Sequence, residues 1–340
     1  MRKLATIQKI EDVHSIENAD SIEKVRIKGW WVVVKKDQFK INDKCVYFEI
    51  DSLLPNIPQF SFLAKGQTLK KSIIEHNKEI EGYRLKTVCL RKQISQGLAM
   101  PFSEFQPNNF ESLNIDTDVS EILNVHKYEM PIPVHLSGEV KGAYPGIIPR
   151  TDEERIQNCI PLLEQYKGRI FYATSKIDGT SSTFYKYENK LGVCGHNMEF
   201  KENDKTIFWR LARQYDLKNK LPNNFAIQAE TAGEGIQNNR LKLKGIDLFA
   251  FYVFDIVNQQ YLILDDMKIF IKDLGLKTVP IVYDNFILNH TCEELLKLAN
   301  VPSLLNPNLP QEGLVFRLND SKEKISFKVI SNDYLIKYGL

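Results

Sequence analysis

The sequence predicts two domains, an all-β first half and a second half mixing helices with strands. Three observations lead there. A chain of 340 residues is long enough for two separate cores. The first 125 or so residues are short β-prone runs broken by turns, whereas helical and strand patterns alternate after Thr151. Between the two lies a segment dense in proline and glycine.

In the first half, Glu23 to Ile27 alternates, Trp30 to Val34 is aromatic and β-branched, and Cys45 to Ile50 is apolar with Tyr and Phe. Gly29 separates the first two runs, and Ile41-Asn42-Asp43-Lys44 is a turn ahead of the third. Arg84 to Leu90 provides another strand, followed by Gly97-Leu98-Ala99-Met100. Strands of this length and spacing suggest a small barrel of the OB type over residues 1–128, with a generic β-sandwich as the alternative. Residues 129–150 form the connector: Pro131, Pro133, Pro145 and Pro149, with Gly138, Gly142 and Gly146, exclude a regular helix.

Residues 151–340 form the second domain. Asp152 to about Tyr166 reads as a helix, with Thr151 as N-cap and Glu154 completing a capping box. Ile170 to Ser175 reads as a strand, with Ser181 to Tyr187 as its hairpin continuation. Lys205 to Tyr215 is a second helix. Phe225 to Glu230, Phe249 to Ile256, Gly313 to Leu318 and Ile325 to Ile330 are further strands.

Composition excludes several classes. A hydrophobic share of 43% with 26% charged residues is that of an ordinary soluble globular chain. The net charge of +2 does not announce nucleic acid, so any basic surface must arise by spatial segregation. Nineteen Phe and fourteen Tyr supply stacking surfaces, most of them expected in the core. Five dispersed cysteines with no C-x-x-C spacing read as reduced, buried thiols of a cytoplasmic or nuclear protein. Met1 to Ile10 has no apolar core of a signal peptide, and no apolar run reaches membrane-spanning length.

The chemistry is expected around Lys176-Ile177-Asp178-Gly179, just after a strand. A lysine amine there can attack the α-phosphorus of a nucleoside triphosphate, while the acid organises charge and the glycine opens a tight turn. Alone the pattern is weak, arising by chance in on the order of one chain in ten of this length. With a pKa near 10.4, about one lysine in a thousand is neutral at pH 7.4. Bringing that value close to neutrality is worth about 4 kcal/mol, so burial and neighbouring cations are expected around Lys176, with acids that bind a divalent metal.

Five further clusters supply candidates. Thr151 to Asn158 offers Arg155 as a guanidinium fork for phosphate, against a solvated helix turn. Gln228 to Gln237 offers Glu230 at a strand end beside two glycines, for a ribose hydroxyl or a metal-bound water, against an ordinary loop. Phe249 to Ile256 is mostly core. Glu312 heads a buried strand, and Lys328 places an ammonium in an apolar strand where an anionic partner is expected.

The order and spacing of these clusters resemble the covalent nucleotidyltransferase superfamily of RNA ligases, DNA ligases and capping guanylyltransferases. The resemblance is closest to ATP-dependent RNA ligases of the Naegleria-type RNA ligase 5 group and covers nearly the whole chain. It rests also on Gly29-Trp30, Val32 to Lys36 and Val46 to Asp51 of the barrel, and on Thr151-Asp152-Glu153 with Arg155, Gln157 and Asn158. It implies an N-terminal OB-fold barrel, then an α+β nucleotidyltransferase domain with antiparallel sheets. It implies Lys176 as the adenylylated nucleophile, Arg155 orienting nucleotide and phosphate end, Phe251 as adenine platform and Lys328 on the α-phosphate. Asp178, Glu230 and Glu312 would shape the ribose and metal-water network, with ATP as nucleotide and magnesium or manganese as cofactor.

Two positions depart from the pattern. Gly195-His196-Asn197 stands where the family often has S-R-N, and Ser326-Phe327-Lys328 where it often has K-x-K. His196 and Lys324 are candidates to compensate. The expected function is an ATP-dependent RNA ligase that joins 3′-OH and 5′-phosphate RNA ends through lysyl-AMP and RNA-adenylate, in RNA repair and as a monomer. The barrel would hold RNA through basic and aromatic side chains such as Trp30, Trp31, Lys35 and Lys36, with core or rim packing expected for at least one of the two tryptophans. A capping guanylyltransferase or a DNA ligase is the alternative within the same chemistry. Domain order argues against both, since those enzymes carry their OB domain after the catalytic one and only twelve residues follow Lys328. A non-catalytic RNA-binding protein is the alternative from another class.

Overall fold

The computed structural model describes residues 3–74, 78–91, 93–106, 108–128, 138–320 and 324–340. The chain divides into two compact units, residues 1–132 with 335–340, and residues 133–334. The part of the expected connector over 129–137, with Pro131 and Pro133, lies outside the described residues.

The first unit runs through β1 (Ala5–Lys9), β2 (Asp12–Ser15), β3 (Ile22–Ile27), β4 (Trp30–Lys35), β5 (Lys44–Phe48), β6 (Ser52–Pro55), β7 (Lys70–Ile74), β8 (Lys78–Arg84), β9 (Val88–Leu90), β10 (Gln93–Ser95), β11 (Leu98–Met100) and β12 (His126–Lys127). Its sheets have the orders β1-β5-β11, β2-β3-β4, β12-β6-β8-β7 and β9-β10, with antiparallel pairing. The run expected over Arg84 to Leu90 is broken into the end of β8 and all of β9.

Periodicity explains the packing. In β3 and β4 the residues Val25, Ile27, Trp30, Val32 and Val34 point inward, and Lys24, Arg26 and Trp31 lie on the other side. β5 is buried nearly throughout because its residues alternate between two apolar clusters. Val46 and Phe48 enter one, Cys45 and Tyr47 the other. Trp30 is fully buried and cannot touch RNA, which corrects its expected role. Trp31 is half-buried, with Lys24 Nζ 4.7 Å and the Arg26 guanidinium 5.7 Å from its ring centre. Cys45, Cys194 and Cys292 are buried free thiols, whereas Cys89 is exposed.

The second unit begins with β13 (Val140–Ala143), inside the expected connector, then α1 (Ile160–Gln165), β14 (Ile170–Lys176), β15 (Thr180–Tyr187), β16 (Lys190–Cys194) and β17 (Met198–Phe200). There follow α2 (Ile207–Gln214), α3 (Leu217–Lys220), β18 (Phe225–Gly233), β19 (Ile246–Asp255), β20 (Gln260–Tyr261), α4 (Leu264–Asp273), β21 (Lys277–Thr278), β22 (Ile281–Ile287), α5 (Cys292–Ala299), β23 (Gly313–Leu318), β24 (Ser326–Ile330) and the start of α6 (Asn332–Tyr338), whose residues from Leu335 on fall in the first unit. The larger sheet has the order β13-β17-β16-β15-β18-β19-β20, with β21 also on β19. The smaller has the order β22-β14-β23-β24.

Two expectations fail here. β14 and β15 are not a hairpin: β14 pairs with β22 and β23, and β15 with β16 and β18. The chain changes sheet at Ile177-Asp178-Gly179, and each strand pairs on both edges with strands distant in sequence or following it. Nor does a helix begin at Thr151. The Arg155 backbone is extended and forms a parallel bridge with Lys328, whose N–H donates to the Glu154 carbonyl at 2.8 Å. Glu154 turns its carboxylate onto Arg155 N–H at 3.0 Å and Asn158 Nδ2 at 2.9 Å. Pairing with β24 thus outcompetes the local capping signal. A capping box does form at α5, between Thr291 and Glu294.

One face of the smaller sheet packs Phe171, Phe316 and Phe327 into a buried aromatic cluster, with Phe316 and Phe327 stacked at 5.2 Å. The opposite face carries Tyr172, Thr174, Lys176, Val315, Arg317, Ser326 and Lys328, by strand alternation and register. Phe316→Ala should therefore destabilise the second unit by about 3–5 kcal/mol in chemical denaturation. A loss under 1 kcal/mol would show that the aromatic cluster does not anchor the sheet.

Candidate active site

Lys176 is the last residue of β14, and its ammonium is drawn to the loop that leads into β23. Nζ donates to Glu312 Oε1 at 2.7 Å, with the two side chains 27% and 17% exposed. Burial disfavours the charged amine, but the carboxylates of Glu312, Glu230 and Asp178 outweigh it and hold the lysine above its ordinary value. Of the cations and acids expected around Lys176 from the sequence, the acids dominate its electrostatics. An ammonium in a partly dry site needs countercharge, which Glu312 and Asp178 supply, and Glu230 adds its own once it ionises.

Glu230 stands in β18, opposite Ser181 on one side and Phe249 on the other. Burial raises its pKa from 4.5 to about 8, with Glu312 and Asp178 adding to the rise and Lys176 and the Gly179 N–H opposing it. Gly179 is required by space rather than by its torsion angle. A Cβ there would lie 2.4 Å from the Thr231 carbonyl oxygen and 2.9 Å from Glu230 Cγ. Gly313 is confined in the same way, 2.2 Å from the Val329 carbonyl oxygen. The two glycines let β18 approach the turn after Lys176 and β24 approach β23.

Asp178 pairs with Arg240 Nη1 at 2.6 Å, both side chains mostly buried at 16% and 14% exposure. Arg240 lies in the loop after β18, and nothing in its local sequence singled it out. Ile177, between Lys176 and Asp178, packs with Phe249, Phe251 and Tyr252 of β19. Phe251 therefore belongs to the apolar floor beside the lysine strand. Arg317, opposite Tyr172 and Ser326, is 4% exposed and lies 4.6 Å from the Tyr252 ring centre and 5.6 Å from that of Phe251. Its Nη1 donates to Thr174 Oγ1 at 2.8 Å. The sequence hinted at it only as the sole charge in the run Gly313-Leu314-Val315-Phe316-Arg317-Leu318.

The site residues thus fall into two adjoining groups. Lys176, Asp178, Glu230 and Glu312 interact electrostatically where the two sheets meet. Arg155 and Lys328 adjoin through their backbone bridge, and Lys328 lies across β23 from Thr174. Among the described residues, no three His, Cys, Asp or Glu side chains converge tightly enough to ligate a metal directly. Glu312 Oε2 is buried and has no hydrogen-bond partner. Such a donor set fits a divalent ion held through its water shell beside a phosphate.

The raised pKa of Glu230 has a sign that can be measured. The folded protein binds a proton that the unfolded chain has lost between pH 4.5 and about 8, so this group's contribution to stability declines as pH rises through that window. Glu230→Gln should raise the melting temperature of the ligand-free protein more at pH 8.5 than at pH 5. An equal or reversed difference would contradict a buried, proton-holding carboxyl.

Comparisons with known proteins place these features in a family. A model for an OB-fold domain matches residues 4–102, and a model for RNA ligase matches residues 169–330. No curated protein matches the sequence. Among solved structures, Naegleria gruberi RNA ligase with PPi is 41% identical with a TM-score of 0.88, covering 100% of this chain and 99% of that one. A mutant of that enzyme with ATP and Mn is 41% identical with a TM-score of 0.87, covering 99% and 98%. Another mutant, with AMP and Mn, is 41% identical with a TM-score of 0.87, covering 98% of each chain. Identity at this level over the full length, with an OB-fold domain ahead of a lysine-centred acidic cleft, makes this chain a member of the RNA ligase family.

Proposed function

We propose that the protein is an ATP-dependent RNA ligase that seals 3′-OH and 5′-phosphate RNA ends in RNA repair. The observation that carries this reading is Lys176 at the meeting of two sheets, its ammonium 2.7 Å from Glu312 and within the field of Glu230 and Asp178. Glu312 is the acceptor in place for the proton that the amine must lose. The Lys176 lone pair then bonds to the α-phosphorus of ATP, the bond from that phosphorus to the bridging oxygen breaks, and pyrophosphate leaves with the electron pair. AMP passes from the lysine to the RNA 5′-phosphate, and the 3′-OH displaces AMP to form the phosphodiester.

The residues divide these tasks. Lys328 and Arg155, adjacent on the backbone, are suited to the α-phosphate and the phosphate end, where fixed cations stabilise developing charge. Phe251 provides an apolar surface for the adenine, and Glu230 an acceptor for a ribose hydroxyl. A magnesium or manganese ion, when bound through water by Asp178, Glu230 and Glu312, neutralises phosphate charge and favours the neutral amine. Self-adenylylation is measured with α-labelled ATP and a divalent metal on a denaturing gel. Wild-type protein should retain label; Lys176→Ala should retain none, and Glu312→Ala and Lys328→Ala should lose nearly all. Label from GTP alone would instead support a capping enzyme.

RNA is assigned to the outer face of β2, β3 and β4, where Trp31 is flanked by Lys24, Arg26 and, at 5.5 Å between ring centres, His14. An aromatic ring among cations suits unstacked bases and phosphates. Trp31→Ala should weaken RNA binding about tenfold while leaving self-adenylylation intact. Unchanged RNA affinity would remove this face from the reading. No helix among the described residues is long and apolar enough to cross a membrane. A monomer in the cytoplasm or nucleus is the form we assign.

A further inference from the structure

Two cations of the second unit have no carboxylate within ion-pair distance among the described residues. Arg150 Nη1 donates to Asn197 Oδ1 at 2.7 Å, and its guanidinium lies 5.9 Å from the Tyr144 ring centre. Lys324 Nζ donates to the backbone carbonyl of that same Arg150 at 3.3 Å, and lies 5.2 Å and 5.0 Å from the ring centres of Tyr252 and Tyr261. The nearby acids are engaged elsewhere. Glu153 accepts from the Tyr252 hydroxyl at 3.0 Å and from the Ser326 hydroxyl, and Asp152 faces His196 at 3.8 Å. Both residues are exposed by area, but the Lys324 ammonium itself lies against the Tyr252 and Tyr261 rings and is partly desolvated there.

Their position relates them to the lysine cleft. Lys324 precedes Ser326 and Lys328 at alternate positions, and Arg317 stands opposite Ser326. Arg150 opens the extended segment whose Arg155 is bridged to Lys328. Each cation also stands where the chain lacks one. Arg150 bonds to Asn197 of Gly195-His196-Asn197, and Lys324 stands two residues before the neutral Ser326. Burial of the ammonium, with Arg317 adding, outweighs Glu153 and Asp152 and lowers the Lys324 pKa, so its charge would be relieved by an anion.

We propose that Arg150 and Lys324 form a subsite for a terminal phosphate dianion, supplying by a different route the two cations missing at His196 and Ser326. This rests on the ligase reading. The dianion is either the triphosphate end of ATP or the 5′-phosphate of RNA. A guanidinium fork fixed through Asn197 presents its remaining N–H groups bidentately, and the ammonium adds a point charge. Both act as positioning residues.

The test uses full-length Arg150→Gln, Lys324→Gln and the double variant. One arm measures KM for ATP in self-adenylylation; the other measures AMP transfer from purified adenylylated enzyme to 5′-phosphorylated RNA. A rise in KM of about tenfold or more in the double variant assigns the subsite to the triphosphate. Transfer slowed about tenfold with self-adenylylation unchanged assigns it to the RNA 5′-phosphate. In either case His196→Arg in the Arg150→Gln background should restore part of the lost activity. Wild-type values in both arms overturn the subsite while leaving the ligase reading intact. A defect that His196→Arg leaves unrelieved, accompanied by a lowered melting temperature, also overturns it by marking Arg150 as a structural tie. Wild-type protein that takes no label from ATP overturns the ligase reading and the subsite with it.

Discussion

A lysine ammonium held in a partly dry cleft is the constraint around which the second unit is organised. Water cannot fully solvate it, so countercharge must come from the protein. Glu312 reaches it from the loop before β23, Glu230 from β18, and Asp178 from the turn where the chain changes sheet. No single strand could carry all three to one point. The electrostatic need of Lys176 and the junction of the two sheets are therefore parts of one arrangement. Burial, with the crowding of Glu312 and Asp178 adding to it, keeps Glu230 protonated to about pH 8. Removing one acid would shift the protonation of the rest.

Close backbone approach makes that convergence possible. Gly179 admits the Thr231 carbonyl and the Glu230 side chain, and Gly313 admits the Val329 carbonyl, in space that a Cβ would fill. The glycine after Asp178 is thus explained by its neighbours in space more than by the turn it begins. Around this core the cations are placed by buried pairing. Arg240 holds Asp178, Arg317 is caged by aromatic rings, and Arg155 is fixed by its bridge to Lys328.

Much of this was legible from residue patterns. The runs at Glu23–Ile27, Trp30–Val34, Ile170–Ser175 and Gly313–Leu318 became strands because β-branched and aromatic residues there meet partners of the same kind. Lys176, Asp178, Glu230 and Glu312 were each weak signals alone and could be singled out only by their order and spacing along the chain and the family resemblance that these carry. The failures share one cause. At Thr151–Asn158 a sound local capping signal lost to pairing with β24, and at β14 and β15 adjacency in sequence lost to pairing with distant strands. Arg240 and Arg150 carried no local signal and Arg317 only that of a lone charge in an apolar strand, since what distinguishes each is a residue from another element.

By itself, then, the sequence determined the two-part architecture and most of the strands, and it picked out as candidates the lysine and acids that the fold brings together, because these follow from periodicity, composition and order along the chain. Only the tertiary structure decided that acids dominate the electrostatics of Lys176, that Trp30 is core while Trp31 is surface, and that Arg150 and Lys324 stand beside the positions that lost a charge. Those outcomes depend on burial and on distances between segments far apart in the chain. Electrostatic energy is set by both, and neither is written in local order.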